Sequence, residues 1–372
     1  MTSTARPGVL QVVLSLGTGG TERLVIDITQ RLCARFRMAV CCLDTAGSCA
    51  HELTERGIEV TALGRSAGFR PSLGRRIAAI AKRHDAGIIH CHHYSPFVYG
   101  RIATMMSPRT RLVFTEHGRL SDGPPGTKRR IVNPVLSRLP ADIFSVSQAL
   151  RESMVGEGFP RARVGVIYNG IEPGRPATAE DRAAVRRALG IPPDALVVGT
   201  VARLDAVKDL GAALRGFAAL RSVEPRAHCV IVGDGDDRNA LQGVTRELGL
   251  DDAVHFLGIR NDVRRVLAAF DVYVNSSVFE GISLTILEAM SAGLPVVATA
   301  VGGTPEVIAH DTNGVLVPAR DAATLGAALI ALAASPSRRH ALGSAARRSV
   351  DARFTLDGMV AQYERVYRRL AG

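Results

Sequence analysis

Short apolar runs alternate with amphipathic stretches along almost the whole chain. The apolar runs predict buried strands, and the stretches with apolar residues three or four positions apart predict helices. The predicted strands lie near 9–15, 37–43, 58–62, 87–91, 111–115, 142–146 and 164–167, and then near 196–201, 227–232, 253–256, 271–275, 295–298 and 314–317. Strand–helix alternation of this kind predicts an α/β fold with parallel sheets and right-handed crossovers.

A turn-forming, proline-rich segment at residues 169–176 interrupts this alternation and predicts a linker. With 372 residues, the chain is long enough for two domains that each bury a core. We therefore predict an N-terminal domain over 1–172 and a C-terminal domain over 173–354. The last residues, 355–372, form a predicted helix with Met359, Val360, Tyr363 and Val366 on one face.

Composition narrows the class of protein. None of the six cysteines forms a C-x-x-C pair and most lie in apolar segments, which is typical of buried thiols in a reducing cytoplasm. The first residues lack the apolar stretch of a signal peptide, and no apolar run has the ~18 residues of a membrane span. Aromatic residues make up 5% of the chain and tryptophan is absent, so we expect no nucleic-acid partner.

The segment from Glu280 to Met290 carries the most specific chemistry. Ser283 is a good N-cap residue, and the apolar residues after it are spaced as in a helix. The backbone N–H groups near Ile282, Ser283 and Leu284 would then point out of the helix N-terminus and could bind a phosphate. Glu280 before the helix and Glu288 inside it could each accept hydrogen bonds from hydroxyl groups, so the segment suits a nucleotide-sugar.

Two strand-to-helix loops add to this prediction. Gly19 and Gly20 follow the first strand, and glycines let the backbone approach a phosphate or a sugar closely. After the strand near 196–201, Arg203 lies in a loop and Lys208 is predicted to enter the next helix. Lys208 is one of three lysines among 46 basic residues, which favours a specific task for its ammonium group.

Two motifs resemble metal sites. Asp234-Gly235-Asp236 follows a strand, where Gly and Asp adopt the dihedral angles of a turn, and we interpret it as a turn. The run His90-Cys91-His92-His93 lies on a predicted strand, whose alternate residues face opposite ways and so cannot converge on one ion. His117 stands at the end of another strand, where open α/β sheets bind their ligands. We predict no metal and no cofactor.

Together these motifs resemble the family 4 retaining glycosyltransferases. Glu280 and Glu288 match the E-x7-E signature, Arg203 and Lys208 the R-L-x-x-x-K loop, and Gly19, Gly20 and Glu22 the G-G-x-E loop. The resemblance implies the GT-B architecture, in which two Rossmann-like, doubly wound parallel-sheet domains face each other across a cleft. It also implies that the helix at 355–372 returns to the N-terminal domain. Asp209 stands where the family usually has glycine.

The resemblance implies metal-independent transfer of a sugar from a nucleoside-diphosphate sugar, UDP-sugar favoured, to a hydroxyl acceptor such as a glycan or lipid-linked glycan. Arg203, Lys208 and the N–H groups of 282–284 would hold the diphosphate. Glu288 would hold the ribose, and Glu280 the sugar. His117, Gly19 and Gly20 would approach the donor from the N-terminal domain, which the resemblance places on the side of the acceptor. The sequence leaves three alternatives: a GT-B sugar epimerase, a pyridoxal-dependent phosphorylase and a non-enzymatic membrane-binding module.

Charge is distributed unevenly. Residues 1–172 carry 23 basic and 13 acidic residues, so this part holds +10 of the net charge of +11. One basic cluster is Arg70, Arg75 and Arg76, and another is Arg119, Lys128, Arg129, Arg130 and Arg138. The second surrounds a predicted amphipathic helix, which suggests an anionic membrane surface or a polyanionic acceptor; solvated arginine-rich faces are the alternative. We expect a cytoplasmic protein, peripheral on the inner membrane face if this cluster binds lipid.

Overall fold

A computed structural model describes residues 6–118, 127–175 and 177–372, except for the side chains of 127 and 128. The described chain forms two compact units. The N-terminal unit contains 6–118, 127–169 and 356–372, and the C-terminal unit contains the described residues of 170–355. The last helix therefore belongs to the N-terminal unit.

The N-terminal unit contains a parallel sheet of seven strands in the order β3-β2-β1-β4-β5-β6-β7. The strands are β1 (Gly8–Val13), β2 (Arg37–Cys42), β3 (Val60–Ala62), β4 (Ala86–His92), β5 (Arg111–Glu116), β6 (Asp142–Ser145) and β7 (Val164–Val166). The helices are α1 (Gly20–Leu32), α2 (His51–Thr54), α3 (Ser72–Arg83), α4 (Tyr94–Met106), α5 (Thr127–Leu136), α6 (Gln148–Gly156) and the last helix, α15 (Leu356–Ala371).

The C-terminal unit contains a parallel sheet of six strands in the order β10-β9-β8-β11-β12-β13. The strands are β8 (Val197–Val201), β9 (His228–Val232), β10 (Val254–Phe256), β11 (Val272–Asn275), β12 (Val296–Thr299) and β13 (Val315–Val317). The helices are α7 (Ala179–Ala188), α8 (Leu210–Val223), α9 (Arg238–Glu247), α10 (Val263–Leu267), α11 (Leu284–Ser291), α12 (Thr304–Val307), α13 (Ala322–Ala333) and α14 (Pro336–Arg353).

All thirteen predicted strands form within about two residues of their predicted bounds, and the predicted α/β class with two doubly wound parallel sheets is confirmed. Both sheets have a point where the strand order reverses, between β1 and β4 in one and between β8 and β11 in the other. Loops leaving the carboxyl ends of neighbouring strands diverge there and leave room for a ligand. We therefore expect a functional site at one or both of these points.

Helix α5 buries its polar side and exposes its apolar side, the reverse of an ordinary surface helix. Asn133, in its last turn, and Ser137, just beyond its end, are buried. In contrast, Ile131 is 68% exposed and Val135 is 57% exposed. The buried amide is satisfied, because Tyr94 Oη donates to Asn133 Oδ1 (2.6 Å) and Asn133 Nδ2 donates to the carbonyl oxygen of Glu157 (2.8 Å). Since these bonds fix the polar side inward, the apolar side faces solvent.

No helix in the part of the chain that the structure describes has both the length and the apolar character needed to cross a bilayer.

Candidate functional site

The reversal point of the C-terminal sheet brings together two residues that the sequence singled out. Lys208 lies in the loop after β8, and Glu280 lies in the loop after β11. Lys208 Nζ donates to Glu280 Oε1 over 2.7 Å, although 72 positions separate the two in sequence. The carboxylate is nearly buried, with 7% of Glu280 exposed, so this ion pair is shielded from water and fixes both side chains.

Three residues that the sequence analysis missed hold Glu280 in place. Ser277 Oγ donates to Glu280 Oε1 (2.6 Å), and Asn275 Nδ2 donates to the same oxygen (3.2 Å). Gly302 has a φ of +50°, and a Cβ there would lie 1.9 Å from the carbonyl oxygen of Glu280. The polar run Asn275-Ser276-Ser277 at the carboxyl end of a buried strand was the available signal for the first two.

The loop from Ala202 to Asp209 differs from its prediction at Lys208. This residue ends a single 3-10 turn, Ala206–Lys208, and α8 begins only at Leu210. The prediction that Lys208 enters the helix was wrong, because Asp209 takes a left-handed conformation (φ +42°) that ends the turn and caps α8 with a bond from Ala212 N to Asp209 Oδ1 (3.3 Å). Asp tolerates this conformation better than most residues, which explains how it replaces the family's glycine.

Arg203 lies in the same loop, and its side chain is 64% exposed. Its Nε donates to Asp205 Oδ2. The guanidinium is therefore held by one neighbouring carboxylate, while most of its surface remains accessible to an anionic ligand.

The Asp234-Gly235 turn packs directly on this loop. A Cβ at Gly233 would lie 1.9 Å from the carbonyl oxygen of Ala202, and one at Gly235 would lie 2.3 Å from that of Leu204. Asp234 uses its two carboxylate oxygens internally, since Oδ1 accepts from Gly235 N and Oδ2 from Arg238 Nη1, both at 2.9 Å. No group of three metal-binding side chains occurs among the described residues.

Helix α11 begins at Leu284 with Ser283 as its N-cap, as the sequence predicted. Ser283 Oγ accepts from Ile286 N (3.4 Å), whereas the N–H groups of the first turn have no acceptor within the helix. Tyr273 fixes this end, because its buried hydroxyl donates to Thr285 Oγ1 (2.8 Å). Burial raises the pKa of Tyr273, and the nearby charges of Glu280 and Glu288 raise it further.

The predicted positions in and before α11 are partly accessible. Ser283, Leu284 and Glu288 are half-buried, whereas Ile282 is buried. Glu288 is on the second turn of the helix. In the C-terminal unit, the structure thus places six of the predicted residues in the two loops that leave β8 and β11 and at the start of α11, namely Arg203, Lys208, Glu280, Ile282, Ser283 and Leu284. Their predicted ligand contacts stay predictions.

The N-terminal unit carries the remaining predicted residues. Gly19 is the N-cap of α1 and Gly20 is its first residue, and a Cβ at Gly19 would lie 2.2 Å from Glu22 Oε2. This loop is fixed to the end of β4 by Thr21 Oγ1, which lies 3.0 Å from His93 Nε2. The other ring nitrogen of His93 lies 3.1 Å from Glu116 Oε1.

His117 directly follows β5 and is 8% exposed. Its Nε2 lies 2.9 Å from Nδ1 of His92, so His92 and His117 form a buried histidine pair. Burial lowers the pKa of both rings well below the ordinary value of 6.5. Neighbouring histidines lower the pKa further, His90 and His93 at His92 and His92 and His93 at His117. In contrast, the bond and charge of Glu116 outweigh the burial of His93 and raise its pKa.

Two family models match adjacent parts of this chain. The model "Glycosyltransferase Family 4" matches residues 18–175, and the model "Glycosyl transferases group 1" matches residues 181–349. The fold and the matches therefore define a glycosyltransferase of GT-B architecture, with two Rossmann-like domains. The chain belongs to the family 4 type of glycosyltransferases, and the resemblance seen in its motifs is confirmed.

Individual relatives agree with this assignment. The chain is 28% identical over 302 residues to the N-acetyl-alpha-D-glucosaminyl L-malate synthase of Bacillus anthracis, which covers 80% of this chain and 78% of that enzyme. It is 29% identical over 321 residues to the D-inositol 3-phosphate glycosyltransferase of Corynebacterium urealyticum, and the match covers 79% of this chain and 74% of that enzyme. A crystal structure of HepE from Anabaena in complex with UDP and glucose is similar to this structure, with a TM-score of 0.87 and 25% sequence identity. The match covers 98% of this chain and 100% of HepE.

Proposed function

We propose that the protein is a retaining, metal-independent hexosyltransferase that moves a sugar from a UDP-sugar to a hydroxyl group of a glycan or lipid-linked glycan. The observation that carries the proposal is the Lys208–Glu280 contact of 2.7 Å beside the N-terminus of α11. A cation, a carboxylate and the N-terminus of a helix at one reversal point suit a diphosphate that is bonded to a sugar. The complex of HepE with UDP and glucose supports UDP as the nucleotide.

The proposed roles follow from these positions. Arg203, Lys208 and the N–H groups at 282–284 stabilise the charge that builds on the leaving diphosphate, as a bound metal ion would otherwise do. Glu288 accepts hydrogen bonds from the ribose hydroxyls, and Glu280 accepts them from the sugar. The roles predicted for His117, Gly19 and Gly20 belong to the same proposal.

In the proposed reaction, the acceptor oxygen forms a bond to the anomeric carbon as the bond from that carbon to the diphosphate oxygen breaks. A donor phosphate oxygen takes the acceptor proton. The reaction uses no covalent nucleophile of the protein. Lys208, Asn275 and Ser277 all donate to Oε1 of Glu280, and these bonds stabilise its charged carboxylate as a hydrogen-bond acceptor.

Ligand binding tests the donor class directly. At about a hundred times its dissociation constant, UDP or UDP-glucose should stabilise the native state by ~2.7 kcal/mol and raise the melting temperature by roughly 5–10 °C. ADP and GDP at the same concentration serve as controls. Turnover of the donor with an acceptor should survive EDTA. Loss of turnover on chelation that Mg²⁺ restores would contradict metal independence, and conversion of the donor sugar without acceptor would indicate an epimerase.

The exposed face of α5 supports a location on an anionic membrane surface, which we propose for this enzyme. Ile131, Val132, Val135 and Leu139 are exposed together, with Arg130 and Arg138 exposed beside them. The sequence from 127 to 139 contains no acidic residue, so an anionic lipid surface is complementary to both its charge and its apolar side chains. Arg119 of the predicted cluster lies outside the described residues.

Arg129 has a structural task and is unsuitable for testing the membrane proposal. It lies 4.1 Å above the ring of Tyr94, and its Nη1 donates to the buried carboxylate of Glu157 (3.1 Å). Replacing it would leave that carboxylate without its cation and would disturb the anchoring of α5.

We expect the double variant Ile131→Ser/Val135→Ser to reduce binding to phosphatidylglycerol vesicles at least tenfold, because two apolar side chains no longer enter the lipid interface. Sedimentation of vesicles measures the binding, and UDP affinity should stay unchanged. Val223→Ser, which removes an exposed apolar side chain of the C-terminal unit, is the matched control. If the wild type does not bind the vesicles at low salt, α5 does not bind a membrane. The same conclusion follows if the wild type forms a dimer that the double variant abolishes.

A further inference from the structure

A chain of buried polar side chains runs from α15 to His117 within the N-terminal unit. Tyr367 Oη lies 2.6 Å from His90 Nδ1, and Gln11 Nε2 donates to the same Tyr367 oxygen over 3.0 Å. Gln11 Oε1 lies 2.8 Å from His92 Nε2, and His92 Nδ1 lies 2.9 Å from His117 Nε2. We call Gln11, His90, His92, His117 and Tyr367 the histidine relay.

The first step along the relay fixes the proton of His92. The side-chain oxygen of Gln11 can only accept, so the nitrogen that faces it, His92 Nε2, must carry the hydrogen. Burial lowers the pKa of His92 well below its ordinary value, so the ring is neutral and carries one hydrogen only. Its Nδ1 is therefore a bare acceptor.

The second step fixes the proton of His117. Because His92 Nδ1 accepts, the nitrogen that faces it, His117 Nε2, must donate. Burial also keeps the ring of His117 neutral by lowering its pKa, so Nδ1 of His117 carries no hydrogen. This Nδ1 is buried and has no hydrogen-bond partner among the described residues. A buried acceptor without a donor is unfavourable, and a hydroxyl group of a ligand would satisfy it.

The orientation of Gln11 depends on Tyr367. Gln11 Nε2 donates to Tyr367 Oη, so the hydrogen of this hydroxyl is directed at His90 Nδ1, which lies 2.6 Å away. His90 Nε2 then faces Thr115 Oγ1 over 2.9 Å. With the amide nitrogen turned toward Tyr367, the amide oxygen must face His92. Each hydrogen bond of the relay then has one donor and one acceptor, and the donors all point from His117 toward His90.

We propose that Gln11, His92 and Tyr367 are positioning residues that hold His117 in the tautomer whose bare Nδ1 accepts a hydrogen bond from a hydroxyl group of the donor sugar. This inference rests on the proposed function. It identifies the functional role of α15, which supplies the hydroxyl group that sets the direction of the relay. It also predicts selectivity, since an acceptor nitrogen binds a sugar hydroxyl and repels a carboxylate at the same position.

The full-length protein with ¹⁵N-labelled histidine tests the tautomer itself. In the wild type, the His117 Nδ1 resonance should be that of a bare, pyridine-type ring nitrogen, and a saturating UDP-sugar should shift it. The spectrum of His117→Asn identifies the signal. A protonated, pyrrole-type Nδ1 in the wild type would overturn the proposal without any variant.

Two tyrosines of α15 give a matched pair. Both are buried, but among the described residues Tyr363 Oη bonds to Thr115 Oγ1 alone (3.2 Å), at the far end of the relay. Tyr367→Phe should let the Gln11 amide turn over, move the Nδ1 resonance toward the average of the two tautomers, and lower kcat roughly two- to fivefold. UDP affinity should not change. Tyr363→Phe should alter neither the resonance nor kcat.

Gln11→Leu provides a second test, because it removes the acceptor that fixes His92 while leaving α15 intact. It should shift the Nδ1 resonance as Tyr367→Phe does. A resonance that is unchanged in both variants, or one that Tyr363→Phe shifts equally, would contradict the relay. A wild type that neither binds UDP nor transfers a sugar would contradict the proposed function. The resonance of His117 Nδ1 would still report the direction of the relay in that case, so the failure of one proposal can be told from the failure of the other.

Discussion

Replacing Glu280 by glutamine is expected to lower the turnover number about a hundredfold without weakening the affinity for free UDP. The amide cannot provide the charge-assisted bonds that hold the sugar, and it can no longer neutralise Lys208, which lies 2.7 Å away. Free UDP has no sugar, and Lys208 remains available for its diphosphate. Steady-state kinetics and UDP titration measure the two quantities.

Glu288→Gln is the matched comparison, with the same chemical change eight positions along the chain. It should raise the dissociation constants of both UDP and the UDP-sugar roughly ten- to hundredfold, because the ribose is present in both ligands. Melting temperatures of the two variants control for loss of folded protein. If both substitutions weakened free UDP equally, Glu280 would not hold the sugar.

Acidification should destabilise the protein by about 3 kcal/mol between pH 6.5 and 5.5. His90, His92 and His117 are buried, and burial lowers the pKa of each well below 6.5. In the unfolded chain they take up protons as the pH falls through 6.5, whereas the folded protein does not. Because each unfolded histidine is already half protonated at pH 6.5, each costs ~1 kcal/mol over this interval. Guanidinium unfolding at the two pH values, followed by circular dichroism, measures the loss.

His93 acts in the opposite direction and outside this window. Its pKa is raised, so the folded protein holds this proton throughout the window, and the unfolded chain gains it as well below pH 6.5; His93 therefore adds only a small slope of opposite sign there. Its stabilising bond with Glu116 is lost only as the pH rises through the raised value. Repeating the unfolding at pH 6.5 and 5.5 in urea, at low ionic strength and at 0.5 M NaCl, separates burial from repulsion among the surface charges, which salt screens. Equal stability at the two pH values would show that the three histidines titrate normally.

The sequence predicted what depends on local patterns. Strands with apolar runs were located within about two residues, because their burial on both faces leaves an unbroken apolar signal. Lys208 and Glu280 were predicted because each follows a strand and belongs to a motif. The position of the helix after Lys208 was wrong, because the left-handed conformation of Asp209 leaves no signal in the apolar periodicity.

The remaining features depend on contacts between distant segments. Gly302 matters only because the chain returns to the backbone of Glu280, and Gln11 matters only because α15 brings Tyr367 to it. On α5 the apolar and polar sides were visible in the sequence, but which side would be buried depended on Tyr94 and on the carbonyl oxygen of Glu157. A burial pattern set by such partners cannot be derived from periodicity alone.

The close approach of Gly302 to Glu280 and of Gly233 to Ala202 has a consequence for engineering donor preference. In both places main chain meets main chain, so any larger residue, and any insertion that shifts one loop, also moves the loop opposite. Random libraries spread over these segments would consist mostly of misfolded members. Diversity confined to side chains that take no part in these backbone contacts, such as that of the half-buried Leu284, would leave the two loops in register and explore new sugars at less structural risk.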